Sequence, residues 1–133
     1  MRKLLVVVLL ATMMSCEKDA FRDFKTPIFD PESGSELFII DSVTTSYIGV
    51  FGVVNIYFRL NPEITDEQLL GVAYFNMWRD GKFVRTSTKE VQGVVSEFNI
   101  NIDPGITYSY QLSMFGTDGN NSRLTTPLLV TMP

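Results

Sequence analysis

The chain has 133 residues, 45% of them apolar, with 11 Lys and Arg against 15 Asp and Glu for a net charge of −4. That is one ordinary domain with enough apolar material for a core, which excludes wholesale disorder, and no basic cluster exists to neutralise nucleic-acid phosphates. There is no histidine and one cysteine, which removes the commonest general base and metal ligand, any intramolecular disulfide and any Cys-based zinc site.

Arg2 and Lys3 precede an unbroken apolar run, Leu4 to Ala11. The run is too short for a bilayer core of about 30 Å, which takes roughly 20 helical residues. A basic start before such a run has the layout of a secretory signal; a buried first strand is the alternative. Met13-Met14-Ser15-Cys16 follows. A small residue and then cysteine resembles the lipobox of bacterial lipoproteins, although Met13 stands where leucine is usual. The resemblance implies cleavage before Cys16, a diacylglycerol thioether on its sulfur and acylation of the new amine. Removing Arg2 and Lys3 leaves nine basic against 15 acidic side chains, net −6. Anionic headgroups do not attract such a surface, so lipid would do the holding. Glu17-Lys18-Asp19 resembles the surface-export signal of Bacteroidota-type lipoproteins. Asp41-Ser42-Val43 resembles the O-glycosylation motif of exported proteins in that group, with Ser42 as acceptor; it also reads as an ordinary strand end.

Residues 20–36 read as a tether, broken by Pro27, Pro31 and Ser33-Gly34-Ser35. Phe21, Phe24, Ile28 and Phe29 are more apolar than a spacer needs, so some are expected along the edge of the domain. From Leu37 the pattern is β. Leu37 to Val43 is a first strand, and Val54, Ile56, Phe58 and Leu60 alternate with Val53, Asn55, Tyr57 and Arg59 in the second. The segment Thr65 to Gly71 suits one helical turn, with Thr65 capping and Gln68 reaching back. Val72 to Arg79 is a strand, and Asp80-Gly81 is a two-residue hairpin turn into the next. Phe98, Ile100 and Ile102 alternate with Asn99 and Asn101. Tyr108, Tyr110, Leu112 and Met114 alternate with Ser109, Gln111 and Ser113. Leu124 to Met132 closes the chain, with Pro127 marking an edge or a kink. About seven short strands without a long helix predict an all-β, two-sheet antiparallel sandwich.

The stretch Ile102 to Ser122 resembles the end of a fibronectin type III domain: an apolar residue, the Pro104-Gly105 corner, Tyr108 opening an alternating strand, then a loop containing Gly119. The resemblance implies that Tyr108 is a tyrosine corner, its ring buried and its hydroxyl bonded back to the corner backbone. That family carries a core tryptophan in its second strand. Here Ile56 and Phe58 stand there, and the sole tryptophan, Trp78, comes later. A more general immunoglobulin-like sandwich is the alternative.

No catalytic set emerges. A serine would lack a histidine partner, and Glu63, Asp66 and Glu67 read as an acidic loop rather than an acid–base pair. Asp118, Asn120 and Asn121 offer oxygens to a cation but lack the spacing and closing glutamate of a calcium loop, so a plain turn is expected. Asn120-Asn121-Ser122 matches an N-glycosylation acceptor, machinery not expected for a bacterial lipoprotein. The surplus is aromatic: Tyr74, Phe75, Trp78 and Phe83 on or beside one hairpin. Tyr74 and Trp78 share one side of their strand. Facing solvent, Trp78, Tyr74 and Phe83 would contact a sugar or a partner protein; facing inward, Trp78 is a displaced core tryptophan, the reading that the usual burial of large aromatics favours.

The expected organisation is a signal peptide over residues 1–15, a lipidated cysteine and tether over 16–36, and a fibronectin type III-like sandwich over 37–133. The expected function is a non-enzymatic lipoprotein of the outer membrane, facing the cell surface. It would need no cofactor and would serve as a binding or accessory module of an envelope protein assembly. The alternative is a carbohydrate-binding lipoprotein of a glycan-uptake system. The partners implied are a membrane reached through Cys16, an envelope protein and, in the alternative, a glycan.

Overall fold

The computed structural model describes residue 29 and residues 36–133. Cys16, Phe21, Phe24 and Ile28 lie outside the described residues. Among the described residues, seven strands and one short helix follow in order: β1 (Phe38–Ile48), β2 (Phe51–Leu60), α1 (Asp66–Leu70), β3 (Val72–Arg79), β4 (Lys82–Ser87), β5 (Gln92–Asn99), β6 (Thr107–Gly116) and β7 (Leu128–Thr131). They form two antiparallel sheets, one ordered β1-β2-β5 and the other β4-β3-β6-β7. This is the expected two-sheet sandwich.

The core lies between the sheets, and the period-two pattern explains it. Val54, Ile56, Phe58 and Leu60 of β2 face inward, as do Phe75 and Met77 of β3 and Tyr110, Leu112 and Met114 of β6. Phe38, Phe58 and Phe75 meet edge-to-face across the layers, with centroids 5.0 to 5.6 Å apart.

Local signals act as their chemistry requires. Thr65 Oγ1 accepts from the Gln68 backbone N–H at 3.2 Å, and Gln68 Oε1 accepts from the Thr65 N–H at 2.9 Å, a complete capping box. Asp80 (φ 50°) and Gly81 (φ 76°) make the turn between β3 and β4.

Three expectations change. The first strand runs to Ile48 rather than Val43, because Val43, Thr45 and Tyr47 continue the inward face; its pairing shifts register between Ile40 and Ser42. The strand expected over Phe98 to Ile102 ends at Asn99, where the Asn99 side chain captures the Asn101 N–H at 2.9 Å. Phe98 and Ile100 face solvent, and only Ile102 is buried, plugged against Gly52. The last strand begins at Leu128, after Pro127. Residues 122–125 instead bond along β6, Ser122 N–H to the Met114 carbonyl and Thr125 N–H to that of Leu112.

Phe29, inside the expected tether, packs against the core at the end of the sandwich near Gly71 and Gly116. Among the described residues no helix is long and apolar enough to cross a membrane.

Candidate functional site: the outward face of β3, β4 and β6

Alternation on β3 turns Phe75 and Met77 inward and leaves Tyr74, Asn76 and Trp78 on the opposite side. The hairpin sets Phe83 across from Trp78, and β6 sets Phe115 across from Tyr74. Two ring pairs result. Trp78 and Phe83 meet edge-to-face at 5.8 Å, and Tyr74 and Phe115 stack at 4.8 Å with planes 9° apart.

Trp78 is therefore not a core residue, which corrects the inward reading. It is half-buried on the outer face, and its indole N–H, which needs an acceptor, donates to Ser113 Oγ at 2.9 Å. Phe83 is 54% exposed and Tyr74 half-buried. Between the pairs runs a polar track. Thr86 Oγ1 donates to Asn76 Oδ1 at 3.2 Å, and Asn76 Nδ2 donates to Asn121 Oδ1 at 3.3 Å. Gln111 Nε2 is held by the Thr125 carbonyl at 2.8 Å. The amides are thus engaged within the protein. The face offers ring surface for contact, and hydrogen-bonding groups that fix the rings rather than reach outward.

The other candidates lie apart from it. Tyr108 is buried; its hydroxyl accepts the Asp103 N–H at 2.8 Å and donates to the Asn101 carbonyl at 3.5 Å. Ser42 is exposed on β1 just after the register shift, paired with Tyr57. It lies inside a strand, not at the strand end that the sequence suggested. Glu63, Asp66 and Glu67 are exposed around the start of α1. Both Asp118 carboxylate oxygens accept from Asn120, at 3.1 and 2.8 Å, and these bonds hold its carboxyl below the usual range. Asn121 points instead to Asn76, so the loop oxygens do not converge. Among the described residues no three acidic, Cys or His side chains group as a metal site. A pocket at Glu36, Leu37, Arg123, Leu124 and Thr125 has about 10 Å³, room for about one water.

The sequence reading missed a buried polar cluster between the sheets. Glu97 of β5 is 2% exposed. Its Oε2 accepts from the Tyr110 hydroxyl at 2.7 Å and its Oε1 from Asn99 Nδ2 at 3.1 Å. Arg79 Nη1 lies 2.8 Å from Oε1, an ion pair whose angle falls outside hydrogen-bond geometry, and the guanidinium covers the Tyr108 ring at 5.2 Å. Burial first, and then the bond to Glu97, raise the Tyr110 phenol well above its ordinary value. The available signal was an inversion on β5: Val94 and Phe98 carry the apolar residues outward while Glu97 takes an inward place beside Val95.

Compared with known proteins, the chain matches no family model, no curated protein and no solved structure. Its functional reading rests on its own residues.

Proposed function

We propose that this protein is a non-enzymatic lipoprotein of the bacterial outer membrane, facing the cell surface and held there by lipid on Cys16. Its fibronectin type III-like sandwich serves as a binding or accessory module of an envelope protein assembly. The lipobox-like Ser15-Cys16 after the apolar run supports the anchor. The Tyr108 hydroxyl bonded back to its corner supports the family likeness. The observation that carries the binding role is the solvent-facing pair of Trp78 and Phe83 beside Tyr74 and Phe115. Aromatic anchors of this kind dominate protein contacts, and amides already engaged within the sheet suit a protein surface better than a ligand read by hydrogen bonds.

Two measurements test this. Globomycin, which blocks lipoprotein signal cleavage, is expected to halt processing, and mass spectrometry to find Cys16 acylated; unchanged processing removes the anchor. In co-purification from gently solubilised membranes, Phe83→Ala is expected to lower recovery of the bound protein at least tenfold with the melting temperature unchanged. Equal recovery removes this face as the contact.

The second reading is a carbohydrate-binding lipoprotein of a glycan-uptake system. The half-exposed Trp78 ring favours it, since a ring face stacks on a sugar. Glycan pull-downs that respond to Trp78→Ala would select it over the first.

A further inference from the structure

The exposed apolar residues concentrate at one end of the sandwich, although Leu70 and Val91 stand exposed at the other. Ile48 (61%), Val50 (66%), Phe98 (51%), Ile100 (56%) and Ile106 (47%) all lie at the end of the sandwich formed by the β1–β2 turn and the β5–β6 loop. Phe51 stacks on Phe98 at 4.5 Å and joins them. The charged side chains exposed at this end include Asp80, Lys82 and Asp103, of mixed sign. The opposite end carries Glu36, Glu63, Asp66, Glu67, Glu90 and Asp118 with Lys89 and Arg123 among them, a net acidic set. One end is thus the more apolar and the other the more acidic.

We infer that the apolar end dips into the lipid interface, giving the domain a second hold on the membrane to which Cys16 attaches it; the inference rests on the lipid-anchored reading above. Three observations point to lipid as the occupant. The patch is carried by the β1–β2 turn, Ile48-Gly49-Val50-Phe51, and the loop from Ile100 to Ile106, and no atom beyond the adjacent residues lies within 4 Å of where a side chain would begin at Gly49 or Gly105, so both stand clear of the body. Most of the acidic charge that anionic headgroups repel is held at the far end. The tether also has the reach. Phe29 is fixed at the acidic end, and the 13 residues from Cys16 to Phe29 extend at most about 43–47 Å. The 11 residues of β1 span about 37 Å. The chain can thus run back along the sandwich and put the apolar end at the bilayer. Side chains of this kind settle at the boundary of headgroup and acyl chain.

The sole tryptophan, Trp78, lies two residues before the turn at the same end and serves as the reporter. The lipidated protein is reconstituted into vesicles of phosphatidylethanolamine and phosphatidylglycerol, with and without brominated acyl chains. Flotation reads the anchor and Trp78 emission reads the apolar end. At least a twofold quenching by bromolipid is expected in protein that floats. Val50→Asp with Ile100→Asp is expected to abolish most of the quenching while flotation persists. Floating protein with unquenched Trp78 overturns the inference and leaves the anchor standing; so does quenching unaffected by the two aspartates. Protein that does not float overturns the anchor reading and this inference with it. An oligomer that the aspartates dissociate, without quenching in the wild type, assigns the patch to a second copy and overturns the inference. Hydrogen exchange supplies a readout free of variants: vesicles should slow the amides of residues 48–51 at least tenfold, and unchanged exchange there also overturns it.

Discussion

Glu97 joins the two layers through Tyr110 and Arg79. A carboxylate this deep is tolerated because donors meet it from both sheets. Glu97→Ala removes those contacts and strands Arg79, so urea denaturation is expected to show a loss of about 3–5 kcal/mol. Tyr110→Phe leaves one Glu97 oxygen without its donor and should cost about 1–3 kcal/mol. The phenol also links stability to pH. An unfolded tyrosine ionises near pH 10, whereas folded Tyr110 holds its proton well above that. Its contribution is complete below about pH 10 and is lost as pH rises through the alkaline range, where the unfolded chain releases the proton first. Tyr47 shifts the same way, through burial and then the neighbouring Tyr108 and Asp103. Urea midpoints between pH 9 and 11.5 should therefore fall less steeply in Tyr110→Phe than in the wild type, without becoming flat. In the sequence only the inverted pattern of β5 hinted at this, because a lone glutamate in an alternating strand reads as a solvent-facing residue until the register is known.

The elements that the sequence made legible are those whose local chemistry and tertiary packing agree. The alternation in β2 and β6, the capping box of α1 and the Asp80-Gly81 turn each appear as read. The end of β5 failed because alternation alone, Phe98 to Ile102, resembles a strand even where Asn99 bends the chain. The extension of β1 was hidden by Thr44, Thr45 and Ser46, which look loop-like until their faces are assigned. Trp78 misled for a related reason. Size favours burial, but the phase of β3, set by Phe75 and Met77, puts it outside, and Ser113 satisfies its N–H there. The turn is the element most sensitive to substitution. Gly81 sits at φ 76°, which a β-branched residue resists. Gly81→Val is expected to lower stability by about 1–2 kcal/mol by urea denaturation.

At the scale of the molecule, one core serves both sheets, with Phe38 and Phe58 from one packed on Phe75 from the other. Neither layer has a separate core, so a single cooperative transition is expected. Far-ultraviolet circular dichroism and Trp78 fluorescence should give coincident melting curves; separated curves would show that the sheets unfold independently.

The register shift in β1 bears on how many such domains can live side by side. β1 is an edge strand of 11 residues, long enough to zip onto the edge of a neighbour. Where copies are concentrated, that hazard is acute. The break between Ile40 and Ser42 interrupts the ladder, so an approaching strand finds two short, misaligned stretches instead of one continuous template. An irregularity of a single residue would thereby help the protein resist strand-to-strand aggregation.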